Sequence, residues 1–184
     1  MAKKQIPNMQ ATAAKVTNVH FLYIAAYMLS VVVFDSWNLL THEAVVDFWT
    51  AAGVMLVLNT LLWYLSRYRF TTDTAYRFTI LALIVADIIF ASFTVYWERG
   101  LASSSVILFA VPIVTAAVLR SRNTVLATAT LCAAGYSIAA VRYFYQHYGE
   151  SFRVELYGEI GLYSAVFFIL AALVLILIKP ADSR

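Results

Sequence analysis

Charge is what this sequence has least of. Only 12% of its 184 residues are Asp, Glu, Lys or Arg, about half the ~25% of a soluble domain. Cysteine is almost absent. Cys132 stands alone, which excludes an intramolecular disulfide and a paired-Cys redox or zinc motif. Inside an apolar stretch it reads as a small buried hydrophobe. There is no Gly-rich phosphate loop, no His-Glu-x-x-His and no Gly-x-Ser-x-Gly. The reading is a non-enzymatic chain with no catalytic residue, no cofactor and no metal. His42, Glu43, Asp47, His147 and Glu150 are the residues that would have to converge for a metal. Their spacing fits no ligand pattern, so they read as solvated loop polars.

What the chain has instead is apolar length. Hydrophobic residues make up 62% of it, and the mean hydropathy is +0.78. Crossing the bilayer core takes about 20 apolar residues at ~1.5 Å each. Six stretches qualify: 19–40, 48–66, 78–97, 101–119, 124–145 and 157–178. The expected fold is all-α, a polytopic six-transmembrane-helix bundle. Residues 1–18 read as a polar leader, 19–179 as one membrane domain and 180–184 as a tail. Lys3 and Lys4 precede the first apolar run as in a signal peptide, but no small-x-small cleavage site follows. That run is read as a retained helix.

The cations set the orientation. Lys3, Lys4, Lys15, Arg67, Arg69, Arg77, Arg120, Arg122, Lys179 and Arg184 fall on one side, and only Arg99, Arg142 and Arg153 on the other. Short loops rich in Lys and Arg stay in the cytoplasm, which places both termini there. The acids Glu43, Asp47, Glu98, Glu150, Glu155 and Glu159 take the outer side. Trp37, Trp49 and Trp97 mark the outer interface and Trp63 the inner one, where amphipathic rings settle. The net charge of +3 is thus a membrane-topology signal. The basic rim suits anionic lipid head groups, and no nucleic-acid partner is expected.

Polar groups within the spans are the candidate site. Asp87 stands mid-span, where a carboxylate costs roughly 2.5–3.5 kcal/mol. It shares a helix face with Thr79, Leu83, Ala91, Thr94 and Glu98, so that face should turn inward. Asn59 lies at a similar depth as a donor for it. This group is either responsive to a ligand or proton, or interhelical glue worth about 0.6 kcal/mol per hydrogen bond. Asp35 and Arg142 lie near the outer ends of their spans. They read as an ion pair at an outward-opening mouth, or as an arginine snorkelling to the interface. Pro112 removes a backbone bond from the fourth span and is expected to kink it, with Ser103 and Ser104 just upstream. Gly135 reads as close packing. His20 reads as an interfacial residue at the inner boundary.

The stretch 77–136 resembles the multi-helix membrane input domains of bacterial sensor histidine kinases, including pilin-sensing and redox- or quinone-sensing ones. Asp87 matches an acid in the third helix, Gly100 a turn glycine, Ser103 a polar turn position, and Pro112-Ile113 a proline step. Arg120 and Arg122 match a basic turn, and Tyr136 a tyrosine in the next helix. A second glycine and a Pro-Phe of that turn are missing, which bears on a quinone-type site. No phosphorylatable histidine or nucleotide-binding region follows Lys179. The resemblance therefore implies an input-like module that passes its signal to a separate protein.

Three functions follow as expectations. The first is a receptor-like module of the cell membrane that recognises a small apolar ligand or a membrane partner, through Asp87, Asn59 and the segment 103–112. The second is a substrate-binding subunit of a transporter of the vitamin-capturing type, its outer pocket drawing on Asp35, Trp37, Trp97, Arg142 and Tyr143. The third is a structural or assembly subunit. Partners are the lipid bilayer, a small apolar ligand, and a membrane or cytosolic protein. Oligomers are compatible with all three.

Overall fold

The computed structural model describes residues 9–37, 39–98, 100, 103–147 and 153–178. Helices account for nearly all of them: α1 (Met9–Ser36), α2 (His42–Arg67), α3 (Asp73–Trp97), α4 (Ala110–Ala117), α5 (Arg122–His147) and α6 (Arg153–Leu177). A 3-10 segment, Ser104–Phe109, leads directly into α4. Five of the helices are long and apolar enough to cross a membrane. The fold is a multi-pass helical bundle, as the hydropathy implies.

The outward faces explain the composition. Leu22, Leu29, Val57, Leu61, Ile138, Ile169 and Leu173 all lie exposed on long helices. In water such a surface would drive aggregation; in lipid it is the solvated face. Helix α3 is the most enclosed span. Its buried Ile80, Ile84, Ile88, Ala91 and Val95 join one core cluster with residues of α4, α5 and α6. Its Phe90 packs with Ile24, Tyr27 and Val31 of α1 and Phe48, Ala52 and Met55 of α2. Two apolar clusters thus share α3 as a common wall.

Two segments depart from expectation. Helix α1 starts at Met9, ten residues ahead of the expected span. Residues expected as leader are helical there, and Met9, Ala13 and Thr17 are buried. Residues 1–8 and 179–184, which carry the rest of the leader and the tail, lie outside the described residues. The fourth span, expected as one helix over 101–119, is a 3-10 segment followed by two turns of α-helix. Pro112 falls in the first turn of α4, where its missing N–H costs least. The stretched 3-10 rise of ~2.0 Å per residue compensates for the short helix. Residues 104–117 reach about 24 Å. Just after α4, Arg120 adopts φ 51° and its amide donates to the Ala117 carbonyl at 3.0 Å, closing the tight inner turn.

Both ends of the bundle are clamped by side chains. On the inner side, the Tyr76 hydroxyl donates to the Tyr68 carbonyl at 2.9 Å and accepts from the Phe70 amide at 3.0 Å. Trp63 donates to Asn18 at 2.8 Å, with the Arg67 guanidinium 4.2 Å above its ring. On the outer side, the Glu98 carboxylate accepts from Ser103 Oγ, Ser104 Oγ and the Ser105 amide at 2.7, 2.7 and 2.8 Å. This satisfies the open amide of the 3-10 segment's first turn. Gly100, at φ 61°, completes the turn; a Cβ there would come within 2.9 Å of Tyr143.

Candidate functional site: a buried His–Asp pair between α1 and α3

Buried positions on α1 run Met9, Ala13, Thr17, His20, Ile24, Tyr27 and Val31. Steps of three and four put them on one face. That face meets Asp87 on the inward stripe of α3, where Thr79, Leu83, Ala91 and Thr94 are also buried. The result is a contact 67 residues apart in sequence: His20 Nε2 lies 2.9 Å from Asp87 Oδ2. The side chains are 4% and 0% exposed.

Donor and acceptor counting fixes the protons. His20 Nδ1 is 2.9 Å from the Val16 carbonyl. A carbonyl only accepts, so Nδ1 carries a hydrogen. One further proton must then lie between Nε2 and Oδ2, on the imidazole or on the carboxyl. Either way the pair is net neutral, the form in which two titratable groups are tolerated at this depth.

Around the pair lies a seam of polar groups. Asn59 Nδ2 donates to the Thr17 carbonyl at 3.2 Å. Thr17 Oγ1 donates back to the Ala13 or Ala14 carbonyl and touches Ser66 Oγ at 3.5 Å. Three buried atoms on this seam have no hydrogen-bond partner: Asp87 Oδ1, Asn59 Oδ1 and Tyr23 Oη. Phe90, one turn on from Asp87, makes an edge contact with the Tyr27 ring at 4.8 Å and with Tyr23 at 6.2 Å. Tyr23 in turn abuts the His20 ring at 6.0 Å.

The residues singled out in the sequence are only partly brought together. Asp87 and Asn59 both face the bundle interior. Asn59, expected as the donor to Asp87, instead ties α2 to the backbone of α1, and His20 takes its place. His20 itself lies inside the bundle and not at the inner interface, because α1 begins well before the apolar run. Ser103 and Ser104 serve the Glu98 clamp, and Pro112 is a buried first-turn residue. Asp35 is exposed at the end of α1 and forms no ion pair with Arg142. Arg142, on α5, rests 5.4 Å over the Tyr96 ring of α3. Trp97 stacks on Phe93 at 5.4 Å and borders an outer hollow of about 270 Å³ together with Ser104. Cys132 is buried with its thiol 3.7 Å from the Phe109 carbonyl. Among the described residues no three His, Cys, Asp or Glu side chains gather to hold a metal; Glu150 lies outside them.

Two lipid-facing grooves flank α3. One, of about 360 Å³, runs between α2 and α3 and includes Ala82, Ala86 and Phe90 in its wall. The other, of about 610 Å³, runs between α3 and α5.

The structure is thus a multi-pass bundle with a His–Asp pair buried between α1 and α3. Residues 4–183 match the model of the PilS-like transmembrane domain, and the chain belongs to that family. The match spans nearly the whole chain, beyond the stretch 77–136 on which the resemblance rested. The chain matches none of the curated proteins and none of the solved structures compared with it.

Proposed function

We propose that the chain is a non-enzymatic sensory module that recognises a small apolar ligand in the groove between α2 and α3. It passes the change on to another protein or domain through the cytoplasmic ends of its helices. The observation that carries this reading is the double membership of Phe90. Its side chain is part of the groove wall and also packs on Tyr27 and Tyr23. Tyr23 abuts His20, which holds Asp87. An occupant that displaces Phe90 therefore acts on a buried polar bond joining α1 to α3. Cores this well packed switch between discrete arrangements and do not deform smoothly.

The groove suits an apolar occupant. Val54, Leu58, Val85 and Ile89 line it, and Thr50 is its one hydroxyl-bearing residue. From His20, a shift reaches the inner end through Thr17, Asn59 and Ser66. Gln10 also touches that end, donating to the Arg67 carbonyl at 3.4 Å.

Native mass spectrometry of protein gently extracted from its own membrane tests the reading. We expect a discrete small-molecule adduct on the wild type. It is lost in Ala82→Phe, which fills the groove from an exposed position and leaves the core intact. A wild type without any such adduct, or an Ala82→Phe protein that keeps it, overturns the ligand reading.

A further inference from the structure

We propose that the groove between α3 and α5 is a binding site for one anionic phospholipid, its phosphate on Arg142 and an acyl chain laid along the groove. The inference is independent of the α2–α3 groove and its ligand.

The groove is apolar along its length and cationic at one end. Ile89 and Phe93 form one wall, and Leu131 and Ile138 the other. All four are at least half exposed, so this channel opens to lipid. Its floor is low because Gly135 has no side chain: a Cβ there would come within 2.6 Å of Ser92 Oγ. The volume of about 610 Å³ falls within the ~300–1,000 Å³ of ordinary ligand sites.

Arg142 closes the outer end. It is exposed and has no carboxylate within 4 Å among the described residues, where His20–Asp87 is the pair that meets that distance. No Asp or Glu lines the groove. One helical turn further, Gln146 accepts from the Tyr96 hydroxyl through its carbonyl oxygen. Arg142 and Gln146 are i and i+4 on one face of α5, so the five N–H donors of the guanidinium fork stand beside an amide at the groove mouth. A planar cation with no carboxylate within 4 Å among the described residues fits a phosphate.

Length selects a lipid over a free phosphate. From Leu131 to Arg142 the rise along α5 is about 16 Å. Half of the bilayer's hydrocarbon core is about 15 Å. A phosphate held at Arg142 therefore leaves a groove one leaflet deep, which is the reach of a single acyl chain. A free phosphate would leave that apolar length unused, and a zwitterionic head would bring its own cation against Arg142.

The test is lipid retention by native mass spectrometry. The protein is released from nanodiscs made of equal parts phosphatidylglycerol and phosphatidylcholine with identical chains. The wild type is expected to keep one phosphatidylglycerol in preference to phosphatidylcholine by about tenfold, or 1.4 kcal/mol. Arg142→Gln should bring the two lipids level. Ala134→Phe, which fills the groove from an exposed wall position, should lower retention of both. Arg122→Gln, on the same helix at the inner turn, should leave the preference unchanged. Equal retention of the two lipids by the wild type overturns the proposal, as does a preference that survives Arg142→Gln. A lipid-free dimer with a second copy seated in the groove overturns it as well.

Discussion

His20 Nε2 lies 2.9 Å from Asp87 Oδ2, and the other imidazole nitrogen is 2.9 Å from the Val16 carbonyl. The second contact gives the first its meaning. Because Val16 fixes a hydrogen on Nδ1, the imidazole faces Asp87 with a single shared proton. Helices α1 and α3 are thus joined by a neutral, fully enclosed polar unit.

Removing one partner leaves the other buried and unmatched. Each of His20→Ala and Asp87→Ala should cost about 3–5 kcal/mol. The double variant should cost less than the sum of the two by more than 1 kcal/mol, since contacting residues couple. Unfolding of all three proteins in bicelles measures the coupling. Additive costs would mean that the contact carries no energy.

Close approach of α5 to α3 depends on Gly135. Gly135→Ala sets a methyl 2.6 Å from Ser92 Oγ, and overpacking of this kind costs about 1–3 kcal/mol. Ser92→Ala in the same chain removes the offending oxygen and should recover most of the loss. A thermal melt of the single and double variants decides it.

Glu98 holds the outer turn through three donors. Glu98→Ala should destabilise the 3-10 segment by about 1–2 kcal/mol, as other lost caps do. The Ser105 amide should then exchange its hydrogen faster. An unchanged exchange rate at Ser105 would show that the serines cap themselves, through the 3.1 Å contact from the Ser105 amide to Ser103 Oγ.

The loop cations predict the orientation. With Cys132 replaced by Ala, a cysteine placed at Thr41 should react with a membrane-impermeant thiol reagent added outside intact cells. One at Ser121, in the tight turn between Arg120 and Arg122, should react only after lysis.

The spans and their inward faces were legible because both rest on composition and periodicity. An acid in the middle of an apolar run must face inward, so Asp87 was readable from its own position. Its partner was not, for a specific reason. The polar residues Gln10, Lys15 and Asn18 conceal the helix ahead of residue 19, and with the start set there His20 falls at the membrane edge. The signal was present in the steps from Met9 through Ala13, Thr17 and His20 to Ile24, which continue one helical face backward. Asn59 misled for the opposite reason: depth matched Asp87, but depth does not give the direction of a side chain around its helix. The fourth span hid its 3-10 half because hydropathy counts apolar residues and is blind to rise per residue. The Glu98 clamp needed the fold of the turn, since neither Ser103 nor Ser104 announces which acid it serves.

The most direct measurement is the ¹⁵N resonance of the His20 side chain in bilayers, with His42 and His147 replaced so that one imidazole remains. The wild type should show a protonated Nδ1 and an Nε2 signal that moves on Asp87→Asn while Nδ1 stays put. An unprotonated Nδ1, or an Nε2 signal indifferent to Asp87→Asn, would contradict a shared proton between α1 and α3 and remove the link on which the sensory reading depends.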